Sequence, residues 1–459
     1  MRKVELTYSF RDLWKVAWPI LLSLVMEQML GMTDTAFLGR VGEIELGAAA
    51  LAGVFYTVLF MIGFGFSLGG QILIGKFNGE KRYEKIGSVF YQGLYFLFFL
   101  AVLLCLLFEF LSGPLMSLMV ESERVAAASV SYLRWRIPSL LFVFVGCMFR
   151  AFYVGTTDTK VLSVNSIILV VSNIALNWIL IFGKFGLPAM GIAGAALGST
   201  LAEAISLLFL VIYTSRLKNR EKYSLDKIEP FKWTGLKEIM SLSLWTMIQN
   251  CLSIATWFIF FLFVEHTGER ALAVSNIIRN TSGFIWMGLS AFASTACTLS
   301  SNLVGMKREE EIKPLLFRII RLTYAILIPL LILFSIFPKS VLSIFTDLPD
   351  LIQASVPSLW VLCGSYLFTI PAFLCFQTVS GSGQTKAAFF LESASLVIYT
   401  LYCLVAIQIL RCDVAIAWIS EAVYAIAILT FSAAYLRRHL AARLGKAALE
   451  RDGELPIGN

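Results

Sequence analysis

The sequence predicts an all-α integral membrane protein in which twelve membrane-spanning helices form two six-helix repeats. Three observations lead to this fold class. First, 58% of the 459 residues are hydrophobic and only 15% are charged, which leaves too little polar surface to cover a soluble globule. Second, long stretches of the chain carry no charge at all. Third, the second half of the chain matches the first when Gly268 is aligned with Gly42.

The apolar segments follow one another in an order that predicts the individual helices. A helix needs about 20 mostly apolar residues to cross the hydrocarbon of a bilayer. Six runs lack any charged residue: 46–75, 86–108, 161–183, 239–264, 280–306 and 351–385. Six shorter runs become spans when one ionisable residue is admitted or their ends are extended: 16–26, 137–149, 185–202, 322–338, 393–410 and 422–436.

Three short segments recur at one constant spacing, and we call this superposition of the two halves the repeat alignment. The common order of the segments, together with the flanking hydropathy, favours a duplication over a chance agreement of basic loops. Two similar halves that move against each other around a central site are the usual construction of a secondary transporter. The paired segments are Gly42-Glu43 with Gly268-Glu269, Gly79-Glu80-Lys81-Arg82 with Gly305-Met306-Lys307-Arg308, and Asp158-Thr159-Lys160 with Gln384-Thr385-Lys386.

Lysine and arginine accumulate in alternate loops and in the carboxy-terminal tail, which predicts that both termini are cytoplasmic. The net charge of +7 is then a signal of topology, and we expect membrane lipid but no nucleic acid as a partner. We predict a multi-pass protein of the plasma (inner) membrane without a removable signal peptide. The predicted parts are an amino-terminal lobe (1–214), a cytoplasmic linker (215–235), a carboxy-terminal lobe (236–436) and a cytoplasmic tail (437–459).

Ionisable and amide side chains inside the spans are the candidates for function, because burying them in a bilayer is costly. Glu27 and Asp34 are seven positions apart in the first span, which puts them on one helix face about 10 Å apart along the axis. They could line one cavity, or Asp34 could be solvated at the outer end. Asn173 and Asn177 share a face of the fifth span and offer oxygens to a hard cation, or they join helices.

The second repeat lacks the carboxylates of the first. In the repeat alignment Asp34 corresponds to Phe260 and Glu27 to Ser253, so the titratable site is expected in one repeat only. Pro19 either kinks the first helix or starts it. Further charged candidates lie near predicted helix ends, where snorkelling to the interface is an alternative to function; they are Arg150, Glu203, Arg279, Glu392 and Glu421.

Several of these motifs together resemble the multidrug and toxic compound extrusion (MATE) family over about residues 10 to 437. The resemblance is carried by Trp18-Pro19-Ile20, by Thr33-Asp34-Thr35-Ala36-Phe37-Leu38-Gly39, by the Gly-x-Lys-Arg loops, by Gly155-Thr156-Thr157-Asp158-Thr159-Lys160 and by the segment from Asn173 to Trp178. It implies two six-helix lobes in a V shape, alternating access, and export of organic cations or other amphipathic compounds in exchange for Na⁺ or H⁺.

The resemblance also assigns residues. It implies a coupling-cation site at Asp34, Asn173 and Asn177, where Na⁺ is possible, with Thr200 as the sixth-helix hydroxyl. Many prokaryotic members have Asp where this chain has Asn177. The seventh helix offers Gln249 and Asn250, for the cavity or for gating, but no acid, which speaks against a second cation site in the carboxy-terminal lobe. Glu27 and Pro19 are further cavity or gating candidates.

A lipid-linked oligosaccharide flippase of the same superfamily is the alternative function, although a flippase is expected to have a more cationic cavity. An enzyme is not expected, because the two histidines lie in a loop and in the tail, away from any nucleophile or metal-ligand partner. We expect no cofactor beyond the coupling ion, and a monomer. The natural substrate, the choice between Na⁺ and H⁺ and the stoichiometry stay open at this stage.

Overall fold

The computed structural model describes residues 7–120, 122–217 and 220–453, and every regular element in these ranges is helical. Twelve of the described helices are long and apolar enough to cross a membrane, which confirms the predicted number. They are α1 (Phe10–Leu38), α2 (Glu43–Gly79), α3 (Tyr83–Met119), α4 (Glu123–Gly155), α5 (Lys160–Phe182), α6 (Gly191–Ser215), α7 (Trp233–Glu265), α8 (Glu269–Gly305), α9 (Glu309–Ile336), α10 (Pro349–Gly381), α11 (Thr385–Ile409) and α12 (Val414–Leu440).

The observed helices differ in their bounds from several predicted runs, and α1 and α10 are two examples. The run 16–26 belongs to the much longer α1, so that both Glu27 and Asp34 are helical. Pro19 therefore lies in the helix interior and does not start it, and the starting role considered for Pro19 is wrong. The run 351–385 is divided, because α10 ends at Gly381 and the turn that follows contains Gly383 at a φ of 82°, a backbone conformation that glycine adopts without strain.

The fourth span contains a local break that changes the position of two arginines. A 3-10 turn over Ile137–Ser139 separates the α-helical stretches Glu123–Arg136 and Leu140–Gly155. Pro138 accounts for this turn, because proline has no backbone N–H to donate in an α-helix. The predicted run 137–149 begins after Arg134 and Arg136, whereas the observed span Glu123–Gly155 contains both.

Close contacts between the chain segments form two compact units, and one of them comprises Trp18–Cys251. Small residues bring the helices of this unit together. A Cβ on Gly194 would lie 2.7 Å from the carbonyl carbon of Leu180, and one on Gly69 would lie 2.7 Å from the Cα of Ser243. Such close approach of backbones is typical of helix packing in membranes.

The other compact unit comprises the described residues up to Ala17 and those from Leu252 onward. Leu13 and Ala17 belong to its hydrophobic core, and the ring centroid of Trp14 lies 6.4 Å from that of Phe292. The backbone N–H of Thr7 also donates to the buried Glu311 carboxylate over 2.7 Å. These contacts explain why the start of α1 groups with the second half of the chain.

The two units therefore differ from the predicted lobes 1–214 and 236–436. The boundaries between the units fall inside helices, after Ala17 in α1 and after Cys251 in α7. In α1 the boundary is next to Pro19. The division into two transport lobes stays a prediction.

The predicted linker 215–235 contains a 3-10 turn (Glu221–Tyr223) and otherwise few regular elements. Its backbone is held by side chains of α3, because the amide of Gln92 donates to Pro230 O over 2.9 Å and accepts from Lys232 N over 2.8 Å. The last α-helix, Ile419–Gly453, includes most of the span α12 and continues into the predicted tail. Residues 454–459 of the tail lie outside the described part of the chain.

Candidate functional site

Four polar side chains from α1, α5 and α6 form a closed ring of hydrogen bonds. Asn177 Nδ2 donates to Asp34 Oδ1 over 2.5 Å and to Asn173 Oδ1 over 3.1 Å. Asn173 Nδ2 donates to Ser199 Oγ over 2.9 Å, and Ser199 Oγ donates to Asp34 Oδ2 over 3.2 Å. The structure thus brings three of the sequence-predicted residues together at one carboxylate.

The spacing of the two asparagines makes this ring possible. Residues four apart lie on the same face of a helix, so both amides of α5 point to the same neighbours. Asn173 and Asn177 are each 0% exposed. Buried polar groups are stable when their hydrogen bonds are made within the protein, and the ring provides most of these bonds.

One atom of the ring has no partner. Asn177 Oδ1 is buried and accepts no hydrogen bond from the described residues. It lies against Gly198 of α6, where a Cβ would overlap it and would also come within 3.3 Å of Asn177 N. A buried acceptor without a donor is unfavourable by about 1–3 kcal/mol, and it offers an oxygen ligand next to the carboxylate.

The sixth-helix hydroxyl in the ring belongs to Ser199 and not to the predicted Thr200. Thr200 Oγ1 donates to Trp135 O over 2.7 Å and to Ala196 O over 2.9 Å, and no hydrogen bond joins it to Asp34 in the described residues. One residue along an α-helix turns the side chain by about 100°. Ser199 was missed because the sequence does not give the rotation of α6 about its axis.

A buried ion pair lies near the ring. Arg136 Nη2 of α4 is 2.7 Å from Glu203 Oε1 of α6, with 10% and 14% of the two side chains exposed. The Arg136 guanidinium also lies 4.3 Å from the centre of the Tyr56 ring. Glu203 therefore sits in the middle of α6 with a specific partner, which excludes the snorkelling considered for it. Its partner was missed because the predicted run 137–149 begins one residue after Arg136.

Glu27 has a partner of its own. Its Oε1 is 3.1 Å from Arg150 Nη1 of α4 and accepts from Ser23 Oγ over 3.3 Å. Among the hydrogen bonds and ion pairs of the described residues, none joins Glu27 to the Asp34 ring. One turn before Ser23, the carbonyl of Pro19 accepts from Ser163 Oγ over 3.1 Å, which shows that α1 and α5 also contact each other there.

The seventh helix packs against α2 near its two candidate residues, Gln249 and Asn250. Ser243 Oγ donates to Phe66 O over 2.7 Å, and Thr246 Oγ1 donates to Gly65 O over 2.6 Å. One turn on, Asn250 Nδ2 lies 3.1 Å from where a Cβ of Gly65 would be, and Gln249 is 8% exposed. Within the described residues, no hydrogen bond joins either amide to Asp34, so a role in the cavity or in gating stays a prediction.

The second repeat has aromatic side chains where the first has the ring. In the repeat alignment Asp34, Asn173 and Asn177 correspond to Phe260, Tyr399 and Cys403. The Phe260 ring is 1% exposed and its centroid lies 6.3 Å from that of Tyr399 and 5.3 Å from that of Trp418. The structure therefore shows no carboxylate at this position of the second repeat.

Comparison with known proteins shows the family to which the chain belongs. A sequence model of the MatE family matches residues 19–179 and again residues 246–405. The chain belongs to the MatE family. The second match covers almost the same positions as the first in the repeat alignment, which agrees with the duplication found in the sequence.

Curated relatives carry names that describe multidrug resistance. A probable multidrug resistance protein NorM of Mannheimia succiniciproducens is 28% identical over 62% of this chain and 61% of its own length. A probable multidrug resistance protein YoeA of Bacillus subtilis is 26% identical over 80% of each chain. A probable multidrug resistance protein NorM of Thermotoga maritima is 26% identical over 77% of this chain and 76% of its own.

Solved structures share the fold of this MatE family member. An outward-facing multidrug resistance MATE family transporter of the MOP superfamily superposes with a TM-score of 0.87 at 15% identity and covers 94% of this chain and 96% of its own. The eukaryotic MATE transporter AtDTX14 gives a TM-score of 0.81 at 20% identity and covers 95% and 98%. The resemblance inferred from the motifs is confirmed.

Membership of the MatE family indicates the general function of this protein. MatE proteins form a family of multidrug efflux transporters and not a class of enzymes, and the twelve apolar helices make this member a multi-pass membrane protein. The flippase alternative is not favoured, because these relatives are named as multidrug resistance proteins.

Proposed function

We propose that this MatE family member is a secondary active antiporter that exports organic cations or other amphipathic compounds in exchange for Na⁺ or H⁺. The coupling cation binds at Asp34, helped by Asn173 and Asn177. The observation that carries the proposal is the ring itself, because a carboxylate inside a membrane-spanning helix is held by three neutral polar side chains. Such a group can take up a cation and release it, and its hydrogen bonds connect that event to α5 and α6.

The orphaned oxygen of Asn177 suggests how a cation is received. In the observed arrangement the amide turns its N–H to the carboxylate and leaves Oδ1 buried without a partner among the described residues. Rotation of the amide group exchanges the two atoms and brings an oxygen to the carboxylate. Na⁺ would then meet oxygens of Asp34 and Asn177, the ligand type that hard cations prefer. A proton would instead neutralise the carboxylate and weaken its hold on the amide.

The neighbouring ion pair sets the electrostatics of the site. A lone arginine near Asp34 would repel a coupling cation and would itself bind the carboxylate. Because Glu203 holds Arg136 at 2.7 Å, the two charges offset each other and Asp34 keeps its charge for an incoming cation. Transport requires that the cation and the exported compound bind the two access states unequally, and a single carboxylate shared between them is enough.

In the proposed orientation both termini and the linker face the cytoplasm, as the distribution of basic residues indicates. The compound would enter from the cytoplasm and the coupling cation from outside. The protein would act as a monomer in the plasma (inner) membrane.

The experiment is export of ethidium, a fluorescent organic cation, from proteoliposomes with Na⁺ and pH gradients imposed separately. We expect export under at least one gradient, and its loss in Asp34→Asn. Glu43→Gln is the matched control, because Glu43 is an exposed carboxylate at the start of α2 and its removal should leave export unchanged. Export that persists undiminished in Asp34→Asn would place the coupling site elsewhere.

A further inference from the structure

The second repeat contains a buried carboxyl group that the site around Asp34 does not use. Glu392 of α11 is 5% exposed. Its Oε1 accepts from Ser253 Oγ of α7 over 2.5 Å and from the Tyr424 hydroxyl of α12 over 3.4 Å. Its Oε2 is buried and has no hydrogen-bond partner among the described residues.

Uncharged or acidic groups surround this carboxyl group. Among the titratable groups of the packed helices, Tyr424 of α12 contacts Glu392 itself. Around Tyr424 lie Glu421 of α12 and Tyr399 of α11, and Tyr366 of α10 lies near Glu421. In the described part of the chain no ion pair joins Glu392 or Glu421 to a lysine or arginine.

Two more buried hydroxyl groups lie close to Tyr424 and Glu421. They belong to Tyr399, which is 4% exposed, and to Ser420, which is 0% exposed. The ring centroids of Tyr399 and Tyr424 are 6.2 Å apart in an edge-to-face contact. We define the Glu392 cluster as Ser253, Glu392, Tyr399, Ser420 and Tyr424.

A carboxylate in such surroundings is not stable as an isolated charge. Burial of one ion without a partner is unfavourable by several kcal/mol in real proteins, and ionisable side chains within membrane spans usually mark ion or proton paths. The group must therefore carry a counterion or a proton while it is buried. Hard metal cations take about six oxygen ligands, whereas Glu392 is joined to two hydroxyls only within the described residues. A proton is the cation that fits.

We propose that Glu392 is a second cation site of this transporter, which takes up one proton at its carboxylate when the Glu392 cluster is open to water and returns it to water on the other side. The proton comes from solvent, forms an O–H bond at the carboxylate and leaves by the same bond, so that no other reactant is needed. This inference rests on the proposed antiport function and adds a site in the second repeat, where the sequence had spoken against one.

The first repeat contains a similar pair of carboxyl and hydroxyl groups at the positions equivalent to Ser253 and Glu392. Ser253 corresponds to Glu27 and Glu392 to Ser166 in the repeat alignment. In the first repeat the hydroxyl of Ser23 bridges the pair, 2.7 Å from Ser166 Oγ and 3.3 Å from Glu27 Oε1. The carboxyl and hydroxyl groups have thus exchanged helices between the repeats. The first-repeat carboxylate has Arg150 as a partner, whereas the second has no cation among the described residues, which is why only Glu392 needs a proton.

The test is pH-difference infrared spectroscopy of the full-length protein in liposomes, which detects the C=O band of a protonated carboxyl group directly. We expect this band in the wild type, its loss in Glu392→Gln, and its retention in Asp34→Asn. Ser253→Ala keeps the acid but removes a hydrogen-bond donor to the carboxylate, so its band should persist to a higher pH. Size-exclusion chromatography in detergent checks that each variant is folded.

The transport readout separates this inference from the proposed function. With ethidium export coupled to a pH gradient, the number of protons taken up per exported molecule should fall by one in Glu392→Gln and stay unchanged in Ser253→Ala. An infrared band identical in the wild type, Glu392→Gln and Ser253→Ala would overturn the inference, as would displacement of the band by Na⁺. Absence of export in the wild type under both gradients would overturn the antiport function. Protonation of Glu392 would then be tested by the infrared band alone.

Discussion

The amide nitrogen of Asn177 lies 2.5 Å from a carboxylate oxygen of Asp34, although the two residues are 143 positions apart. The bond ties α1 to α5, and Ser199 extends the tie to α6 through the other carboxylate oxygen. A change in the charge of Asp34 therefore alters hydrogen bonds on three helices at once. This is how binding of a cation at one carboxyl group can change the packing of a helical unit.

Glycine at position 198 should be required for the site. In Gly198→Ala the new Cβ would overlap Asn177 Oδ1, which forces the amide away from Asp34. We expect the cation concentration for half-maximal ethidium export to rise about 10-fold, equivalent to about 1.4 kcal/mol. Gly53→Ala is the control, because nothing lies within 4 Å of a Cβ there and alanine favours the helix. Equal behaviour of the two variants would contradict the predicted role of Gly198.

Ser199 and Thr200 should differ in their effects on cation binding. Ser199→Ala removes a donor to Asp34 and an acceptor for Asn173. We expect a shift of about 10- to 100-fold in the half-maximal cation concentration, because a hydrogen bond to a charged group contributes about 1.5–3 kcal/mol. Thr200→Ala removes bonds to backbone carbonyls only and should shift that concentration much less than Ser199→Ala does. A larger shift in Thr200→Ala than in Ser199→Ala would support the original assignment of Thr200.

Removal of one partner of the Arg136–Glu203 ion pair should lower the stability of the protein. Glu203→Gln leaves the Arg136 guanidinium buried without its counterion, and we expect a loss of about 3–5 kcal/mol in the free energy of unfolding. The freed positive charge should also weaken cation binding at Asp34. Replacement of both residues by Arg136→Met and Glu203→Leu should recover most of the stability, measured by thermal unfolding in detergent. A double variant as unstable as Glu203→Gln would show that the loss comes from packing and not from the unpaired charge.

The aromatic group at the equivalent position of the second repeat should matter for stability and not for coupling. Phe260→Ala removes a ring that contacts Tyr399 and Trp418, and a buried Phe→Ala change lowers the free energy of unfolding by about 3–5 kcal/mol. The cation concentration for half-maximal export should stay the same in the folded fraction. A large change in that concentration would indicate that this position also takes part in coupling.

The sequence predicted more of the fold than of the site. Hydropathy gave all twelve spans, because the bilayer fixes both the length and the apolar character of a helix. Asp34, Asn173 and Asn177 were also predicted together, since the family motif and the four-residue spacing pointed to one face of α5. Which hydroxyl faces the carboxylate depended on the rotation of α6, and that rotation is set by packing at Gly194 and Gly198.

Charge partners were the least predictable part of the site. Glu27 lies on the same helix as Asp34, as the seven-residue spacing indicated, yet Arg150 from α4 binds it. Glu392 pairs with a hydroxyl of α7 that lies 139 positions away. Such contacts form only when distant helices pack, and a single sequence carries no signal for them beyond the cost of burying the charge.

The most direct test of the central claim is whether the exported compound and the coupling cation exchange at Asp34. Ethidium is added to the purified protein in detergent, and the release of bound Na⁺ or of protons into weakly buffered solution is measured. We predict that ethidium releases one cation fewer from Asp34→Asn than from the wild type. Equal release from both proteins, or ethidium binding without any release of a cation, would contradict the account.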